Sequence, residues 1–453
     1  MKEKLMDIGE KAIRKTEAMG ANQTEVYLTS TRKYVINAEK GEVRSASEKI
    51  DAGCGIRAVL GNKMGFAFVT TTEEADIIRA AVNAVQMAKI SYPDPDFVSL
   101  PSYNESYQQV KGIFDPTIEK ITADEATILI LRTVNASREA LKGKKGIIEA
   151  LIEISCERKV ITNSLGISAT SKTTNILLDS DCTIKNEHHS SSFESQVSCE
   201  LNSIDPEWVG RSAVENTLNN QGAKYIENGE MPVILSPSAV TMILGMGFGR
   251  FLNAAWVQER RSPILDVMGE KIASKELQIV DNGLMPGGVG SRPFDAEGVP
   301  SQRTEILTSG ILKNLLHNSY TANKDGVKNT GNASRSSYAE IPVISPSNFV
   351  ISPGKGSQDD LVSEIDKGVL CKCTYDQPNA VGELSALIME GFYIAGGEIK
   401  HPLKGTLFGI NMKDLLQGVC RIGTDTRMLK APMGSAVVVS PSIVIKSAKI
   451  TSG

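Results

Sequence analysis

The chain carries four histidines, His188, His189, His317 and His401, and their spacing limits the metal chemistry open to it. A zinc-peptidase helix needs two imidazoles about one turn apart, with a glutamate beside them to activate water. None of the four has such a neighbour. His188 and His189 are adjacent and, on a strand, would point to opposite faces; in their polar surroundings they read as surface residues. His317 reads as a hydrogen-bonded residue near a strand or turn, and His401, just before Pro402, as part of a loop. Cys371 and Cys373 would share one face of a strand. That leaves a disulfide or a metal role open, but two small buried side chains are the simpler expectation. There is no Gly-x-Ser-x-Gly elbow and no phosphate-binding loop. The glycines at 247, 249 and 287–290 do not follow a strand and open a helix, so turns and close packing account for them.

Two polar clusters remain. Arg292, Asp295, Glu297 and Arg303 fall within thirteen residues, Ser291 to Arg303, and could form a bidentate ion-pair network or line a cleft. Between Lys324 and Arg335, Gly326 and Gly331 permit turns, while Asn332 and Arg335 could contact a peptide backbone or a carboxylate. A salt-bridged turn feeding a hairpin explains the first cluster equally well, and an exposed loop the second.

The elements that must position these residues read as α+β. Leu5, Ile8, Ala12 and Ile13 share a helix face that ends near Gly20. Short alternating segments follow at 25–28, 34–37 and 42–45. A hairpin runs through Gly61-Asn62, then a helix starts with Thr72 as its expected cap. This gives an N-terminal α+β domain over 1–91. Two prolines, Pro93 and Pro95, open a linker over 92–118. A middle α+β domain, rich in strands, covers 119–225: a helix from Ala123 to Leu141, β-rich stretches between 146 and 203, and a helix from Pro206 to Asn219. From 226 to 453 the chain reads as a mostly β domain with a few helices, one of them started by Ser236-Pro237 after the strand Val233–Leu235.

With 453 residues, two or three domains are expected. The net charge of −4, with Lys and Arg interspersed among Asp and Glu, argues against direct nucleic-acid binding. No apolar run approaches the length of a membrane span, no secretory signal is evident, and seven scattered cysteines read as reduced thiols. A cytoplasmic protein is expected.

Several pieces, in order along the second half of the chain, resemble the TldD/PmbA family, also called modulators of DNA gyrase, and within it the PmbA (TldE) branch. They are Pro206–Gly210, Arg292–Val299, Gly310–Leu312 ahead of Ser319-Tyr320, and Asn329–Asn332. Gly391–Ile394 with Gly397–Pro402, Asn411–Leu415 and Gly434-Ser435 complete the set. The resemblance implies a cytoplasmic proteolytic system in which one branch carries a zinc-binding His-Glu-x-x-x-His helix and a later zinc-ligating Cys. The other branch lacks that motif and joins the first to degrade unfolded peptides. The matching helix follows Val233–Leu235, where Gly245, Met246 and Arg250 stand in place of His, Glu and His. Glycine offers no ligand, methionine a soft neutral sulfur, and arginine a repelling charge. No cofactor is expected in this chain, zinc being left to a TldD-like partner, and Cys420 is read as a core residue. Arg292, Asp295, Arg303 and Asn332 become the candidates for peptide binding. The alternative is a stand-alone regulatory homodimer acting on a gyrase or a toxin–antitoxin system, and a third reading is a metal-independent hydrolase using Asp295 and Glu297.

Overall fold

The computed structural model describes residues 2–185, 189–431 and 436–453, so His188, Gly434 and Ser435 lie outside the described residues. One long antiparallel sheet dominates the first half. Its strands are β1 (Gln23–Glu39), β2 (Glu42–Leu60), β3 (Lys63–Val69), β4 (Ile147–Asn163), β5 (Ser168–Ile184) and β6 (Ser190–Ser198), in the order β3-β2-β1-β4-β5-β6. The stretches expected at 25–28 and 34–37 are thus two ends of one strand.

The reason lies in what β1 covers. Val26 and Leu28 pack into one hydrophobic cluster with helices α1 (Lys2–Glu17) and α2 (Glu74–Ile90). Tyr34, Ile36 and Ala38 pack into a second, under α4 (Ala123–Leu141) and α5 (Pro206–Asn219), with the short α3 (Pro116–Lys120) alongside. The polar residues between them, Ser30 to Lys33, cross the seam between the two clusters and interrupt the apolar alternation. β1 pairs with β4 from Glu25↔Asn163 to Glu39↔Glu149, so the regions 1–91 and 119–225, expected as separate domains, share one sheet.

Local signals set the helix starts. Asp205 accepts from the Trp208 amide ahead of Pro206 at the first turn of α5, and Thr122 with Glu125 forms a capping box on α4. At α2 the cap is Glu73 rather than Thr72, with no side-chain cap bond. Residues 92–115 contain no regular element, yet the Tyr107 ring packs tilted against Phe294, centroids 5.0 Å apart, and its hydroxyl donates to the Gly298 carbonyl at 2.8 Å, tying the linker to the C-terminal part.

The C-terminal part is built on two sheets with the main hydrophobic cluster between them. In the larger, mixed sheet, Gly229–Leu235 lies in the middle, parallel to Lys367–Cys373 on one side and antiparallel to Ile443–Ser452 on the other. The smaller sheet runs from Ile311–Leu312 to an edge strand, Arg427–Lys430. The buried helical segment from Pro237 to Phe251 lies against both, and its centre, Thr241–Phe248, is a π-helix. His401 lies in strand Glu398–Pro402 rather than a loop. Cys420 is exposed, contrary to the core placement expected: a register shift between Val419 and Arg421 turns it outward. No helix among the described residues is long and apolar enough to cross a membrane.

Candidate functional site

The α1, α2, α4 and α5 helices cover one face of the long sheet. The other face is roofed by the C-terminal part, and between them runs a continuous cleft. Its wider section, about 840 Å³, is floored by Thr31 and Lys33 of β1, Glu153 and Ser155 of β4, and Asn175 and Leu177 of β5. Those odd-numbered positions are the alternates of the apolar even-numbered ones under the helices. The roof carries Ser334, Arg335, Val343 and Lys430. Glu153, Leu177 and Lys430 also line a second section of about 430 Å³, which reaches Asp179, Asp181, Phe193, Ser238, Thr241, Met242 and Cys373.

Here the cleft has its own electrostatics. Burial pushes the Asp179 carboxyl up to about 6, with Glu153 and Glu194 adding to the rise and Ser195 and Lys430 opposing it. Asp181, two residues on and more open to the cleft, is likewise pushed up to about 6 by burial and by Asp179. Cys373 is no nucleophile: burial and then Glu390 raise its thiol to about 12, so it stays protonated at neutral pH. A raised carboxyl leaves a signature in stability. Because the folded pKa of Asp179 lies above its unfolded value near 3.9, the native state holds the extra proton between pH ~4 and ~6, and stability falls as pH rises through that window. We expect Asp179→Asn to flatten this part of the stability curve, measured by urea unfolding across pH 4–7; an unchanged slope would contradict the shift.

The four candidate peptide contacts lie elsewhere. Asp295 is 1% exposed and accepts the amides of Glu297, Val299 and Ala333 at 2.8, 2.9 and 3.0 Å. It is a turn-builder, raised to about 7 by burial and by Glu297 against the pull of Arg292. Asn332 is wholly buried and donates to Asp281 at 2.7 Å. Arg303 points to solvent and pairs with Glu305 at 3.2 Å. The partly buried Arg292 stands near Asp281 and Asp295, and none of the four lines the cleft. What the polar clusters build is a buried ion network between sheet and roof. Arg57 donates to Glu25 at 3.0 and 2.5 Å and to Glu297 at 3.0 Å, Arg335 also donates to Glu25, and Glu297 accepts the Ser319 amide at 2.9 Å. His317 is buried, with Nδ1 3.2 Å from the Thr321 hydroxyl, as its sequence setting indicates.

The helical segment at the cleft wall carries Gly245, Met246 and Arg250. Gly245 packs so closely that a Cβ would lie 2.2 Å from Val438, and Arg250 donates to the Pro378 carbonyl at 2.8 Å and lies over the Trp256 ring. With Met246 between them, this donor set does not fit zinc. Among the described residues, no group of three or more His, Cys, Asp or Glu side chains is placed to hold a metal ion.

Sequence models of this architecture exist. The model of the PmbA/TldA metallopeptidase C-terminal domain matches residues 228–452, and that of domain 1 matches 24–88. The chain belongs to the PmbA/TldD family. Metalloprotease PmbA of Escherichia coli O157:H7 is 25% identical to this PmbA/TldD-family chain over 407 residues, covering 88% of it and 87% of the relative. An uncharacterized protein of Methanocaldococcus jannaschii is 26% identical over 98% of both. The crystal structure of TldE from Thermococcus kodakarensis has the same fold, with a TM-score of 0.90, 24% identity, and coverage of 98% of this chain and 100% of that one. A putative modulator of a DNA gyrase from Thermotoga maritima aligns with a TM-score of 0.87 at 23% identity, over 98% and 99% of the two chains.

Proposed function

We propose that this chain is a non-zinc, PmbA/TldE-like subunit of a cytoplasmic metallopeptidase complex, supplying a peptide-binding cleft while a TldD-like partner supplies the metal. The observation that carries this reading is the chemistry of the wall segment: in the register read from the sequence, Gly245, Met246 and Arg250 stand where metal ligands and a general base would be. The cleft beside it suits an extended chain. Arg427–Lys430 is an edge strand, with Leu429 and Lys430 in the cleft lining, and an edge can hydrogen-bond a peptide main chain without regard to its sequence. Asp179 and Asp181 favour a basic side chain or a free amino terminus beside that edge.

The test pairs the purified chain with a zinc-bearing relative from the same organism. Alone, the chain should cleave no unfolded peptide and hold no stoichiometric zinc by elemental analysis. With the relative, cleavage should appear and should weaken in Asp179→Asn. Zinc in the isolated chain, or cleavage without the partner, would overturn the reading.

A further inference from the structure

Beyond the two sections that frame Asp179 and Asp181, the cleft has a third. It holds about 460 Å³, and its lining includes Ser236, Lys372, Glu390, Thr426 and Arg427. The narrow section shares Glu153, Leu177 and Lys430 with the wide one, and Phe193, Ser195 and Leu429 with the third. The acidic pair therefore stands in the middle of one passage and not at its end. Charge is spread unevenly along that passage. In the wide section Lys33 pairs with Glu153 at 2.8 Å. In the third, Lys372 pairs with Glu390 at 2.7 Å and Arg427 with Glu194 at 2.6 Å. Among the described residues, the exposed Lys430 is the one cation acting on Asp179, and none acts on Asp181. Unbalanced negative charge is thus confined to the middle section.

We propose that the cleft takes the interior of an unfolded chain, not its terminus, and that the middle section reads one internal lysine or arginine. This rests on the peptide-binding reading and narrows it to a substrate class: long unstructured segments with residues on both sides of a basic one. The outer sections, their charges already paired, suit a neutral main chain and offer a free terminus no unpaired opposite charge. In the middle section Leu151, Leu177, Phe193 and Met242 stand beside the carboxylates. Such walls suit the methylene stem of a long basic side chain, which an α-amino group lacks. From Asn175 to Asp181 the floor is about 20 Å of extended strand, so a chain that also fills the third section has roughly ten residues.

Isothermal titration calorimetry on the full chain tests this with an unstructured peptide of about twelve residues that carries one central lysine. Replacing that lysine with norleucine should weaken binding about tenfold, and the difference should vanish in the double variant Asp179→Asn/Asp181→Asn. Acetylating the amino terminus of the peptide should change nothing. Thr426→Trp, at an exposed position lining the third section, should weaken the same peptide severalfold while thermal unfolding stays that of the wild type. Loss of affinity on acetylation, indifference to the lysine, or indifference to Thr426→Trp would each overturn the proposal and leave a peptide-binding cleft in place. A chain that binds none of these peptides, alone or with its zinc-bearing relative, would remove the peptide-binding reading itself and this proposal with it.

Discussion

Replacing Arg57 with methionine is expected to lower folding stability by about 3–5 kcal/mol, because it strips a partner from two buried carboxylates at once. Glu25 would keep only Arg335, and Glu297 would keep only the Ser319 amide. Both carboxylates are almost without solvent contact, at 0% and 2% side-chain exposure, so water cannot replace the lost guanidinium. The loss should appear as a lower urea midpoint at unchanged slope. The half-exposed pair Arg132–Glu207 makes a control: Arg132→Met should cost under about 1 kcal/mol. There is also a pH signature. Burial alone would raise Glu25, but Arg335 and Arg57 hold it below the usual carboxylate range. A depressed folded pKa contributes stability that is present above the unfolded value near 4.3 and lost as pH falls through the folded one. The wild type should therefore lose stability more steeply than Arg57→Met on acidification below about pH 4. Equal midpoints for the two proteins would refute the picture of a buried lock.

The second large effect concerns Gly65 on β3. A Cβ there would lie 2.0 Å from the Ala84 carbonyl oxygen and 2.3 Å from the Ala88 nitrogen, both backbone atoms of α2. No rotamer change relieves such a clash, so the helix must lift off the sheet over its buried face of Ala80, Ala81, Ala84 and Ala88. Gly65→Ala should cost at least the upper part of the overpacking range, about 1–3 kcal/mol. Gly229→Ala, at a position with nothing within 4 Å, should be close to neutral by comparison. Differential scanning calorimetry of the pair is enough, and equal transition temperatures would remove the steric explanation.

These residues show what the sequence could and could not reveal. Helix boundaries at Ala123–Leu141 and Pro206–Asn219 are legible because caps, proline and apolar spacing agree within each segment. The unity of β1 is not, since Ser30 to Lys33 interrupt the alternation where the strand passes from one helix pair to the next. The candidate site suffers from a related blindness. Charge density draws attention to Asp295 and Asn332, yet burial under the rest of the fold turns them into framework. Asp179 and Asp181 do carry a local sign, two carboxylates at a spacing of two on a strand. Which face of that strand meets a cleft depends on Phe193 and Lys430, the latter far along the chain. The wall segment gives a plainer local sign, because Gly245 has no side chain to offer a metal whatever the tertiary fold packs against it.

The strand Ile443–Ser452 lies inside the larger C-terminal sheet, bonded to Gly229–Leu235 on one side and to Thr406–Asn411 on the other. During synthesis, then, the region from 229 onward waits more than two hundred residues for the strand that closes it, with one edge of its central strand open in the meantime. The long sheet, complete by Ser198, can fold while the ribosome is still at work; the roof cannot. Ribosome-stalled chains that end before residue 443 should expose a protease-sensitive C-terminal region beside a protected first half, so this protein is born with its floor built and its cleft not yet formed.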